Sequence, residues 1–211
     1  MPKSKFTEFD VNKFPAYYKK YMEKEELFLK KFLKPTDKVI DIGCGIGRFM
    51  PMIVPFVKSY VGIDIDRSYI KEARKAASKY KNATVLELDA TRLSSKFALN
   101  TFDKAICAWN TIGCMKNGKK AMHEISKITR DSMLFSVNAK GALKTRIKTY
   151  KILGIKYTVN KKTETIYSDA WTFVKAYNKK DIENLCKGTG FLIKRITPAF
   201  RIGYIILLKK E

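Results

Sequence analysis

The stretch Lys38-Val-Ile-Asp-Ile-Gly-Cys-Gly-Ile-Gly-Arg-Phe49 constrains this chain more than any other. Val39, Ile40 and Ile42 form the continuous apolar run of a strand buried on both faces. Gly43, Gly45 and Gly47 then allow positive φ and let the main chain come within contact distance of a ligand. The pattern predicts a helix restarting near Ile46 and running through Phe49 to Val57, with its unpaired N–H groups turned toward the glycine-rich turn. Pro51 is tolerable in a first turn, whereas Pro55 should kink or shorten the helix.

Two ligand chemistries use such a turn. A dinucleotide fingerprint requires G-x-G-x-x-G, and the position three after Gly45 is Arg48, so that spacing fails. The spacing present is Asp41-x-Gly43-x-Gly45-x-Gly47, with a carboxylate at the carboxyl end of the strand. An acid there suits a ligand carrying positive charge better than a pyrophosphate. A bare strand-to-helix turn with no ligand is the alternative. On these residues the chain resembles the class I S-adenosylmethionine-dependent methyltransferases, whose first motif has the D-x-G-x-G-x-G form.

Further strands repeat the design. Tyr60-Val-Gly-Ile-Asp64 reads as a second buried strand one β-α-β step after Asp41, followed by a helix over Ser68 to Tyr80. Parallel neighbours bring Asp64 beside the turn, where a carboxylate can accept both hydroxyls of a ribose. Thr84 to Asp89 is a third strand, Phe102 to Trp109 a fourth and Met133 to Val137 a fifth, ending at Asn138. Taken singly, the strand-end acids could be solvent-facing turn residues or helix caps.

The resemblance implies a doubly wound, seven-stranded, mostly parallel α/β sheet, a Rossmann-like methyltransferase domain spanning residues 1–211. It covers about residues 25–138 and 178–210, the latter containing a helix over Lys180 to Lys187 and the closing strands Phe191 to Thr197 and Tyr204 to Leu208. Implied cofactor contacts are Asp41, Gly43, Cys44, Gly45, Asp64, Ile65, Asp89, Ala90, Trp109 and Asn110. In this family Asp89 would hydrogen-bond the adenine amino group and Ala90 would supply a main-chain N–H. The amino-terminal helical cap, residues 1–34, would lie across the cofactor, with Tyr17 or Tyr18 closing the pocket. Within it, residues 6 to 34 carry a helical pattern with Leu27, Phe28 and Phe32 on one face, ending before Pro35.

Residues 139–177 depart from a plain doubly wound sheet and read as a basic insertion after strand five, a place for acceptor recognition in such families. Ala142 to Leu153 is a basic helical run, and Ile155 to Val159 and Thr165 to Tyr167 flank a hairpin turn. Trp109, Asn138 and Trp171 are the expected acceptor contacts. Lysines and Arg146 dominate residues 139–180, opposed there only by Glu164 and Asp169. The formal charge of the chain is +23, most of it in the second half. A basic surface attracts nucleic acid, phosphorylated ligands or anionic membrane; compositional bias toward Lys, Ile, Tyr, Phe and Asn accounts for it equally well.

No 18-residue apolar run and no amino-terminal h-region occur, which predicts a cytoplasmic protein with no membrane span. Cys44, Cys107, Cys114 and Cys186 lack C-x-x-C spacing, so neither a metal site nor a disulfide framework is expected. His123, the only histidine, falls on a helix over Gly118 to Thr129, on the back of the sheet, and is expected to pack there. No residue declares itself a general base, so the catalytic residues stay unassigned. The N/D-P-P-Y/F motif of base amino methylation is absent, and no Cys follows a Pro as cytosine C5 chemistry requires. The resulting expectation is methyl transfer from S-adenosylmethionine to an O or N of a small molecule. RNA methylation through the basic insertion, a non-catalytic cofactor-binding regulator and aminopropyl transfer are the alternatives.

Overall fold

In the computed structural model, which describes residues 11–211, the apolar run before the glycine-rich turn is strand β1 (Lys38–Ile42). It is followed in the chain by β2 (Ser59–Asp64), β3 (Ala83–Glu87), β4 (Phe102–Cys107) and β5 (Thr129–Asn138). These five pair in parallel in the order β3-β2-β1-β4-β5. The closing hairpin, β9 (Phe191–Ala199) and β10 (Gly203–Lys210), completes a seven-stranded sheet, with β10 antiparallel to β5 and β9 at the edge. Strand order reverses between β1 and β4, and at such a switch point the crevice outside the strand carboxyl ends is where open α/β sheets bind ligands.

Alternation along β1 sorts its side chains onto two cores. Val39 joins Tyr21 and Leu29 of helix α1 (Ala16–Phe32) and Ile70 and Ala73 of α3 (Arg67–Ala77). Ile40 and Ile42 face Met122 and Ile125 of α4 (Gly118–Ile128), with Ile182 of α6 (Lys179–Cys186) in the same cluster. Both faces are therefore covered, which is why the strand tolerates no exposed polar position between Val39 and Ile42.

Caps fix where several helices begin. The Asp66 side chain accepts from the Ser68 and Tyr69 N–H groups at the start of α3. Asn178 and Asp181 form a reciprocal capping box on α6. Helix α1 starts after Pro15 without a side-chain cap, so docking of its buried face anchors it: Tyr21, Met22 and Leu29 are at most 2% exposed, each worth about 1.5–3 kcal/mol by burial.

Two expectations change. The helix expected from Ile46 begins only at Met50: α2 is Met50–Ile53, followed by a 3-10 turn at Val54–Phe56. Positive φ at Gly43, Gly45 and Gly47 keeps the chain out of the helical region, and Pro55 has no N–H to extend α2. On α1 the buried line runs through Tyr18, Tyr21, Met22, Glu25 and Leu29, while Leu27 is half-exposed and Phe28 and Phe32 are only partly covered; the expected stripe overlooked a glutamate as a core position. Residues 6–10 of the expected amino-terminal helix lie outside the described residues.

Between β5 and α6 stand helix α5 (Leu143–Ile152) and an antiparallel meander of β6 (Tyr157–Asn160), β7 (Thr165–Ser168) and β8 (Thr172–Val174). The third of these strands was not anticipated. The Tyr17 hydroxyl lies 3.0 Å from Thr149 Oγ1, tying α1 to α5.

Candidate active site

The carboxyl ends of β1, β2, β3, β4 and β5 open on one edge of the sheet. There the glycine-rich turn is pinned to the neighbouring strand: the Gly43 and Cys44 N–H groups both donate to the Ile63 carbonyl, at 2.8 and 2.9 Å. Gly43 has φ +70°, and a Cβ on it would meet Thr111 Cγ2 at 2.2 Å. Gly45 differs. Its φ is +56°, yet nothing lies within 4 Å of where a Cβ would stand. The turn is thus packed beneath and open above.

Asp64 sits at the rim of that open space. Its Oδ2 accepts the Gly45 N–H at 2.9 Å and its Oδ1 accepts the Asp66 N–H at 2.9 Å. Each carboxylate oxygen keeps further acceptor capacity. Burial raises the Asp64 pKa against the pull of these two N–H groups. Ile65, next along the chain, leaves an apolar side chain 54% exposed. Asp89 accepts the Thr91 N–H at 2.8 Å and caps the 3-10 segment Ala90–Ser95, with Ala90 buried.

Asp41 is placed differently. It is 2% exposed, and Oδ2 accepts the Tyr60 hydroxyl at 2.8 Å. Burial pushes its pKa up to about 6, opposed by Tyr60 and by the Arg48 charge. Cys44 is buried, and burial lifts its thiol pKa far above the ordinary range.

At the end of β4, Trp109 and Asn110 occupy the left-handed region with φ +50° and +61°, a conformation that costs non-glycine residues energy and persists only where surroundings hold it. The holding groups are visible. The Trp109 N–H donates to Glu25 Oε1 at 2.9 Å and Ser136 Oγ at 2.8 Å. Asn110 Oδ1 accepts the Asn138 N–H at 2.8 Å, and its amide donates to the Lys175 carbonyl at 3.3 Å. The Asn110 side chain therefore clamps the ends of β4, β5 and β8 together.

Sequence reasoning missed Glu25, Arg48 and Ser136. Glu25 is fully buried on α1, hydrogen-bonds the Ser136 hydroxyl and pairs with Arg48 at 3.3 Å. The Arg48 guanidinium lies 3.9 Å from the Phe49 ring centre and 5.5 Å from that of Trp109. An acid on the apolar stripe of a helix was the available signal, since a buried carboxylate is retained only where paired.

Beside these strand ends lies a cavity of about 60 Å³ lined by Phe14, Tyr18, Trp109, Asn138, Arg146 and Trp171 among others. It brings together Tyr18 and all three expected acceptor contacts. Trp171 packs edge-on to Trp109 at 6.2 Å and to Tyr150 at 5.7 Å, and Phe14 meets Trp109 at 5.5 Å. A larger depression of about 470 Å³ lies at the opposite edge, around Asp37, Lys58, Asp103, Arg130 and Asp131. Arg130 pairs there with Asp103 at 3.2 Å and Asp131 with Lys104 and Lys209, and strand amino ends are the wrong edge for this architecture. His123 is half-buried on α4. Among the described residues no three His, Cys, Asp or Glu groups are placed to hold a metal ion, and no helix is long and apolar enough to cross a membrane.

A family model described as a methyltransferase domain matches residues 33–186, and the chain belongs to that family. It is 32% identical over 120 residues to an uncharacterised protein of Methanocaldococcus jannaschii, covering 56% of this chain and 43% of that one. A probable cobalt-precorrin-6B C(15)-methyltransferase (decarboxylating) of Archaeoglobus fulgidus is 34% identical over 72 residues, 34% of this chain and 43% of the relative. The chain spans less than half the length of these curated relatives. Among solved structures, the PH0226 protein of Pyrococcus horikoshii shares the fold with a TM-score of 0.74 at 21% identity, covering 93% of this chain and 92% of the other.

Proposed function

We propose that the chain is an S-adenosylmethionine-dependent methyltransferase acting on a small-molecule acceptor. The observation that carries this reading is the Asp64 carboxylate, fixed by the Gly45 N–H at the mouth of a glycine turn with open space above it. The residues fit the nucleoside end of the cofactor. Asp64 would take the ribose hydroxyls, the exposed Ile65 face would cover the adenine, and Asp89 and Ala90 would meet its polar edge. Gly43, Cys44 and Gly45 would form the floor, and the buried Asp41 would set negative potential beneath the cationic end. Trp109, Asn110 and Tyr18 would wall off the methyl end.

S-adenosylmethionine would supply a methyl carbon already activated by its sulfonium, with the carbon–sulfur electron pair leaving to sulfur as an acceptor lone pair takes up the methyl. The chain's task is then to orient the acceptor and exclude water. The roof of Phe14, Trp109, Tyr150 and Trp171 suits that task. Tyr18 is unsuited to act as a base, because burial pushes its pKa up to about 12. Among the described residues no carboxylate or histidine lines the cavity, in keeping with an acceptor that is nucleophilic without enzymatic deprotonation.

Titration calorimetry with S-adenosylhomocysteine tests the reading; a protein that takes up neither this product nor the methyl donor refutes it. An RNA acceptor is the second reading. It is favoured by the exposed lysines Lys144, Lys148, Lys151, Lys156, Lys161 and Lys162 on and around α5 and the β6–β7 turn. RNA binding that weakens steeply with salt would support it.

A further inference from the structure

Arg146 stands alone among the basic side chains of residues 139–180. It is the one arginine there and it is fully buried, whereas the neighbouring Lys144 and Lys148 on α5 are exposed. One guanidinium nitrogen donates to the Glu164 carbonyl and the other to the Val174 carbonyl, each at 2.8 Å. The Glu164 carboxylate is turned away and accepts the Gly141 N–H at 2.9 Å through both oxygens. Among the described residues no carboxylate forms an ion pair with Arg146. A guanidinium carries five N–H donors, and two are accounted for.

Burying a cation is costly unless an anion or enough acceptors compensate it. Two main-chain carbonyls could be bridged by a neutral donor, so they give no reason for a permanent charge at this position. Arg146 is among the residues lining the aromatic cavity at the ends of β4 and β5, and among the described residues no acidic side chain lines that cavity with it. The volume of about 60 Å³ is room for about two water molecules, the scale of a carboxylate group.

We propose that Arg146 is a specificity-determining residue that binds an oxyanion on the acceptor, so that the substrate is a small molecule whose carboxylate or phosphoryl group enters the cavity lined by Arg146, Trp109, Trp171 and Tyr150. The inference rests on the methyltransferase reading, which makes this cavity the acceptor side of the site. A planar guanidinium matches such oxyanions in two-pronged geometry, which lysine does not. An amine-bearing acceptor would put a second uncompensated cation into the same buried space.

The test uses the full chain saturated with S-adenosylhomocysteine and three phenyl probes, benzoate, its neutral isostere benzamide, and phenyl phosphate, titrated by calorimetry. The expected result is that one of the anions binds at least about tenfold more tightly than benzamide, the lower range for a charge-assisted hydrogen bond. Whichever anion is favoured identifies the oxyanion. Arg146→Gln should abolish the preference while leaving S-adenosylhomocysteine affinity intact; Arg146→Lys, which keeps the charge, should retain part of it. Equal binding of anion and amide by the unaltered protein, or binding of none of the three, overturns the proposal irrespective of how the variants fold, as does a preference that survives Arg146→Gln. Failure to bind S-adenosylhomocysteine would instead refute the underlying functional reading.

Discussion

Asp41 offers the most informative perturbation, because its carboxyl is buried against Tyr60 and its pKa lies at about 6 rather than the ordinary 3.8. In the unfolded chain Asp41 loses its proton near pH 3.8, whereas in the folded chain it keeps it until about pH 6. Across that window the native state binds more protons than the unfolded state, so this group's contribution to stability falls as pH rises and the loss is complete above about pH 6. A displacement of about 2 units corresponds to about 3 kcal/mol. Asp41→Asn removes the titration and keeps an oxygen for the Tyr60 hydroxyl. The amide also adds two buried donors, a cost that does not depend on pH, so the diagnostic quantity is the change in the stability difference, not its sign at one pH. Urea unfolding of both proteins should show the difference moving in favour of Asp41→Asn by about 2 kcal/mol between about pH 4 and pH 7, the remainder having been lost below pH 4. A difference that stays flat across this range would show that the Asp41 carboxyl is not desolvated as described, and the reasoning fails. The same variant should bind S-adenosylmethionine more weakly, since the ionised carboxylate is the form that favours a cationic ligand.

Asp64→Ala should lower S-adenosylhomocysteine affinity by about 1–3 kcal/mol, measured by calorimetry at a temperature where the variant is folded; undiminished affinity contradicts the ribose assignment. Gly43→Ala and Gly45→Ala should separate, because the first drives a Cβ to within 2.2 Å of Thr111 and the second enters open space. Gly43→Ala should fail to give soluble folded protein, while Gly45→Ala should fold with a penalty of about 1–2 kcal/mol from its left-handed backbone and lose cofactor binding. Glu25→Leu should cost about 3–5 kcal/mol in urea unfolding by leaving Arg48 without its carboxylate, and a loss below about 1 kcal/mol would mean the pair is no more than a surface salt bridge.

The strand core was legible because β1, β2, β4 and β5 are buried on both faces and therefore read as apolar runs whose ends are marked by Gly43, Asp64, Trp109 and Asn138. Parallel pairing carries the rest of that inference, since it delivers successive strand ends to one edge whatever the helices between them do. Local punctuation was harder to weigh. Pro55 was rightly read as shortening its helix, yet the three glycines preceding it removed the first turn as well. Strand β8 is three residues long and pairs only with β7, too short for alternation to register against the flanking turns.

The contacts around the turn at Trp109 and Asn110 were hard to read for a different reason: they join residues far apart in sequence and of the wrong polarity for a core. Glu25 reaches Trp109 and Ser136 across 84 and 111 residues, and although the glutamate stands on the apolar stripe of α1, nothing in the helix names those partners. Charge counting misdirected attention in the same way, since it gave every cation of residues 139–180 equal weight. A flexible ammonium is strongly hydrated and stays at the surface, as Lys144 and Lys148 do, whereas a guanidinium is more weakly hydrated and tolerates burial where acceptors meet its fork. The single arginine among those lysines was therefore the residue to single out, since it alone is buried and lines the same cavity as Trp109 and Trp171.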